Sequence, residues 1–203
     1  MKKQFIFVLA LAATLFTNTL SAYNIESPFD LSGNVKISAV NKSIIVNLGA
    51  IEKEVVSIVI RDNTGSILVN ETVKKTPNFI KKYNMSRLEN GEYTMTVTKT
   101  TLRTTQPFKI TTDGLIMTEM EKVEKFIPVV LLKNDKIDVN VLLKDYSNII
   151  VNIYDNQGLR VKQDKYPSAL SLHKRYNISQ LRDGAYVVEV TAGDETFYHT
   201  VVK

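Results

Sequence analysis

One turn-and-tyrosine signature occurs twice in this chain, and the two occurrences stand at a constant offset. The first reads Ile60-Arg61-Asp62-Asn63-Thr64-Gly65, followed by Lys81-Lys82-Tyr83-Asn84-Met85-Ser86-Arg87-Leu88-Glu89-Asn90-Gly91-Glu92-Tyr93. The second reads Ile153-Tyr154-Asp155-Asn156-Gln157-Gly158, followed by Lys174-Arg175-Tyr176-Asn177-Ile178-Ser179-Gln180-Leu181-Arg182-Asp183-Gly184-Ala185-Tyr186. Gly65 maps onto Gly158, an offset of 93, and every other match keeps that offset without a gap. Such self-similarity points to tandem copies of one small folding unit.

The repeated residues have structural work to do. Asp62 and Asp155 open Asp-Asn-x-Gly turns, in which a short acidic side chain bonds the backbone downstream and Gly65 or Gly158 supplies a positive φ. In the second half of the signature, Leu88, Gly91 and Tyr93 recur as Leu181, Gly184 and Tyr186. A leucine, a glycine turn and then a tyrosine entering a strand is the pattern of a tyrosine corner, whose ring packs inward while its hydroxyl bonds upstream backbone. Asn84-Met85-Ser86 and Asn177-Ile178-Ser179 have the form of glycosylation acceptors and read here as turns.

Around these signatures the hydrophobic period is two. Residues 34–40, 93–98 and 136–141 alternate polar and apolar side chains, and residues 55–60 and 149–153 are β-branched runs that stop at a turn. Short strands with regularly spaced turns predict an all-β protein: two tandem immunoglobulin-like antiparallel β-sandwich domains. Helical spacing is weak and confined to residues 117–126.

A signal peptide is expected ahead of them. Met1-Lys2-Lys3 is followed by an apolar run from Phe5 to Leu15 and then by small residues through Ala22. That run is too short to be a comfortable membrane span, and cleavage is expected after Ser21 or Ala22, with no transmembrane segment retained. The expected organisation is a signal peptide at 1–22, a first sandwich at 23–112, a charged linker at 113–126 and a second sandwich at 127–203. The chain has no cysteine, which excludes disulfides and a lipid anchor on an N-terminal cysteine and suits a bacterial envelope. Without Lys2 and Lys3 the formal charge of +5 falls to +3, with 24 basic side chains against 21 acidic. A surplus that small, scattered among acids, excludes a nucleic-acid footprint.

No reactive constellation accompanies the repeats, so no catalytic, cofactor or metal residue is assigned and the protein is read as non-enzymatic. One Asp and one Asn per turn supply too few oxygens for calcium. The two histidines, His173 and His199, stand where the first copy has Ile80 and Gln106, and they form no cluster. Glu119, Glu121 and Glu124 read as a solvated acidic stretch. Tyr154 and Tyr166 replace Arg61 and Val73, so the shared scaffold does not demand them. Exposed together, they would form a stacking surface for a carbohydrate or peptide.

The stretch from Ile150 to Val190, with Tyr176-Asn177-Ile178-Ser179-x-Leu181-x-x-Gly184-x-Tyr186 at its centre, resembles the C-terminal sorting domains of type IX secretion in Bacteroidota. The final run from Thr196 to Lys203, a strand closing on a basic residue, resembles theirs too. The resemblance covers the second copy well and the first more loosely. It implies a seven-stranded immunoglobulin-like sandwich recognised by the type IX translocon during outer-membrane export. It further implies a secreted or envelope interaction protein located in the periplasm, on the outer-membrane surface or outside the cell. The translocon or another envelope protein would then be its partner.

Overall fold

The computed structural model describes residues 35–203, and the expected signal peptide at 1–22 lies outside them. Regular structure among the described residues is antiparallel strand, apart from one 3-10 turn at Glu119–Glu121. Seven strands form the first sheet: β1 (Lys36–Val40), β2 (Ser43–Asp62), β3 (Ile67–Asn84), β4 (Gly91–Thr98), β5 (Leu102–Ile110), β6 (Leu115–Ile116) and β7 (Val123–Phe126). Five form the second: β8 (Val129–Lys133), β9 (Lys136–Tyr154), β10 (Arg160–Asn177), β11 (Ala185–Ala192) and β12 (Glu195–Val202). Shifting the bounds of β1 and β3 by 93 residues returns those of β8 and β10. The strand order follows suit, β1-β2-β4-β5 against β8-β9-β11-β12, with β3 and β10 paired to the long β2 and β9.

Each long hairpin folds over on itself to make two layers. The first half of β2 pairs with β1 and the end of β3, whereas its second half pairs with β4 and the start of β3. Between the halves the β2–β3 register slips from Asn47 to Val55, at Gly49, whose φ is +65° and whose amide donates to Asn47 Oδ1 at 3.0 Å. Such slips bend a strand sharply. The inward row before the bend (Ile44, Val46, Leu48) and the row after it (Val56, Ile58, Ile60) therefore meet in one buried core. The second sheet does likewise, with Ile137, Val139 and Val141 facing Ile149, Val151 and Ile153. Full burial of each such side chain favours folding by about 1.5–3 kcal/mol, so each unit rests on its own core.

Residues 113–126, expected as a linker, are instead built onto the first sheet. β6 pairs with Lys109 and Ile110, and β7 pairs with Leu102 through Thr105. The reason is backbone satisfaction: the amide of Lys99 donates to the Leu102 carbonyl, so the even residues of β5 bond β4. Arg103, Thr105 and Lys109 thus point their N–H and C=O groups outward, and the returning segment satisfies them. Gln106 fastens it further, its buried Nε2 donating to the Thr118 carbonyl at 3.0 Å.

Candidate functional site

The two signature turns have the same geometry. Asp62 Oδ1 accepts from the amides of Thr64 and Ser66 at 2.9 Å, and Asp155 Oδ1 accepts from those of Gln157 and Leu159 at 2.9 Å. Gly65 and Gly158 hold φ of +88° and +77°. The Thr64 hydroxyl first, and the turn amides with it, hold the Asp62 carboxyl below the usual carboxylate range. With Oδ1 of each Asp turned toward its own backbone, these carboxylates serve the turns themselves. Among the described residues no group of three His, Cys, Asp or Glu side chains is placed to hold a metal ion.

Both tyrosine corners are closed. Tyr93 donates to the Glu89 carbonyl at 2.9 Å, with its ring stacked on Phe108, and Tyr186 donates to the Arg182 carbonyl at 2.6 Å. Leu88 and Leu181 pack against the two cores. Gly91 pairs with Ile110 where β4 begins, and Gly184 accepts the Lys203 amide at 3.0 Å. The Asn-x-Ser triplets are Asx turns, with Asn84 Oδ1 and Asn177 Oδ1 accepting from the amides of Ser86 and Ser179. A second buried tyrosine, Tyr83, donates to Glu71 Oε2 at 2.9 Å, and Lys81 pairs with the same oxygen. Burial, and then the Glu71 charge, pushes the Tyr83 phenol far above its ordinary range.

Tyr154 and Tyr166 do not share a surface. Tyr154 lies opposite Val187 in the outward row of β9, whereas Tyr166 lies opposite Ile149 and packs against the core. A single bulge separates them. Arg160 pairs with Tyr154, but after the slip Lys162 pairs with Ile153. A one-residue slip reverses which face every later side chain occupies. The expected joint stacking surface is therefore not formed. A polar row runs beside Tyr154 instead: Gln163 donates to Asn152 Oδ1 at 2.8 Å, and Asn152 donates to Glu189 Oε1 at 2.6 Å. His173 contacts Asn140 through its Nδ1. His199 Nε2 is buried without a partner, and burial lowers the pKa of its ring.

A charged seam joins the two units, and no residue spacing foretells it. Lys125 Nζ bonds both carboxylate oxygens of Asp194 at 3.0 Å, Arg103 bonds Glu195, and Lys144 reaches back to Glu124 at 3.4 Å. The lining of the cleft along the seam consists of Arg103, Thr105, Val123, Lys125, Asp194 and Glu195. Its two cations and two carboxylates are spent on one another. Lys125 lowers the Asp194 pKa, as that neutralisation requires.

These features define an immunoglobulin-like antiparallel β-sandwich protein with a tyrosine corner in each unit. Residues 133–203 match the family model described as "Secretion system C-terminal sorting domain", the sorting domain of type IX secretion. Among solved structures the chain is similar to the BSP domain of a biofilm-associated protein, at 14% identity and TM-score 0.29, with 82% of this chain and 29% of that one covered. It is also similar to the FN1–FN3 domains of chicken CNTN1, at 11% identity and TM-score 0.28, covering 84% of this chain and 65% of that one. No curated protein matches it. Among the described residues no helix is long and apolar enough to cross a membrane.

Proposed function

We propose that this is a non-catalytic exported interaction protein whose second unit directs the chain through the type IX translocon to the cell surface or the medium. The observation that carries this reading is the match of residues 133–203 to the sorting-domain family. The self-contained core of that unit is in keeping with it, since its thirteen buried side chains all lie between Ile137 and Val201. The translocon is then its partner in export, and the first unit is left to make the contact that matters after export. The inward Tyr166 removes support from a tyrosine-based carbohydrate or peptide site.

The test is to express the full chain in its native cell beside a version lacking residues 133–203, and to fractionate both. Loss of surface or released protein, with the shortened chain held inside the outer membrane, is the expected result. Equal surface delivery of both forms would refute the sorting role.

A further inference from the structure

Corresponding edges of the two sheets are treated differently. In the first sheet the outward backbone row of β5 carries Arg103, Thr105, Pro107 and Lys109. β6 and β7 cover it, and Pro107 has no N–H to leave open in the gap between them. Two cations and a proline are also what shields a strand edge from unwanted pairing.

β12 has none of this. The amide of Lys203 donates to the Gly184 carbonyl, so the odd residues of β12 bond β11 and the even ones face out. That outward row is Thr196, Tyr198, Thr200 and Val202. All four side chains are exposed, Tyr198 at 67% and Val202 at 70%, and none is charged. Among the described residues no strand pairs with this edge; β8 comes near from the other layer without joining it. The buried, unpartnered His199 Nε2 marks the same vacancy, for its counterpart Gln106 uses its amide nitrogen to hold the segment that covers β5.

We infer that this edge pairs antiparallel with the β12 of a second copy, extending the two sheets into one across a two-fold axis at His199. The sequence of β12 is self-complementary in that register. Tyr198 lies opposite Thr200 of the other copy, and Thr196 lies opposite Val202, giving aromatic and β-branched pairs on the outer face. Phe197 meets Val201 on the inner face, an apolar pair. Residues contacting each other reciprocally make the interface isologous and therefore closed, a dimer and not a fibre.

Sedimentation of the exported chain over a range of concentrations tests this, together with hydrogen exchange. The expected result is a monomer–dimer equilibrium in which the amides of Thr196, Tyr198, Thr200 and Val202 gain protection as dimer forms. Thr200→Pro copies the proline of the first sheet at an edge position that the fold already accepts. It removes two symmetry-related bonds of the ladder and is expected to weaken the dimer on the order of thirtyfold. Tyr198→Lys keeps every backbone bond but brings like charges together near the axis, and is expected to weaken it as well. A wild-type chain that stays monomeric overturns the inference, even if the edge takes a strand of some other protein. A dimer unaffected by both substitutions overturns it too.

Discussion

Replacing each corner tyrosine by phenylalanine removes one hydroxyl and keeps the ring, and the two corners will not respond alike. Tyr186 is 4% exposed and donates to the Arg182 carbonyl at 2.6 Å, whereas Tyr93 is half-buried and its 2.9 Å bond to Glu89 is open to solvent. A hydrogen bond contributes about 0.5–1.5 kcal/mol net, and an acceptor left dry costs more than one that water can reach. Tyr186→Phe should therefore lie near the upper end, at about 1.5 kcal/mol, and Tyr93→Phe near about 0.5 kcal/mol. Because two cores make a single unfolding midpoint ambiguous, amide hydrogen exchange is the appropriate assay. Exchange at Val151 and Val190 should quicken about tenfold in Tyr186→Phe, and exchange at Ile58 and Val97 about two- to threefold in Tyr93→Phe. An equal or reversed ranking would refute the argument that burial, and not the motif alone, sets the value of the corner.

Three further outcomes follow from other parts of the molecule. Burial keeps His199 neutral, so its folded pKa lies below the 6.5 of the unfolded chain and the unfolded state binds the extra proton. This group's contribution should be complete above about pH 6.5 and lost as pH falls through the folded value; His199→Gln should flatten that slope in an unfolding titration. Gly158→Ala meets no atom within 4 Å, so only its φ of +77° opposes it, and denaturation should show a loss of about 1–2 kcal/mol without core disruption. Arg103→Ala removes a half-exposed ion pair of the seam and should cost the stability of neither core more than about 1 kcal/mol. Raising salt should reproduce its effect on inter-unit contact, measured by small-angle scattering, because the seam is ionic.

The turns and corners could be read from the chain because their chemistry is local: Asp62, Gly65 and Tyr93 bond backbone within a few residues of themselves. What escaped the reading depends on register. Tyr154 and Tyr166 have the same parity in sequence, and only the bulge after Arg160 sets them on opposite faces. One signal was present, for the first-copy counterpart of Tyr166 is the buried Val73. Residues 113–126 read as a linker because their charges suit a solvated segment, yet an edge strand needs only its backbone. The seam was illegible for another reason. Arg103 and Glu195 are 92 residues apart and meet only once both sheets have formed.

The position of β7 also sets an order of events for a chain emerging N-terminus first. The β2–β3 hairpin turns within four residues and can zip as soon as Asn84 is out, since its contacts are local. The outer edge of β5, however, stays open until Phe126 has appeared, sixteen residues after β5 itself ends at Ile110. A chain stalled in that interval carries a bare strand edge, the state most prone to pairing with a neighbour. In the second unit no described strand follows to cover the β12 edge, which stays unpaired within the unit. Passage of Phe126 is thus the moment at which the first unit becomes safe to leave alone.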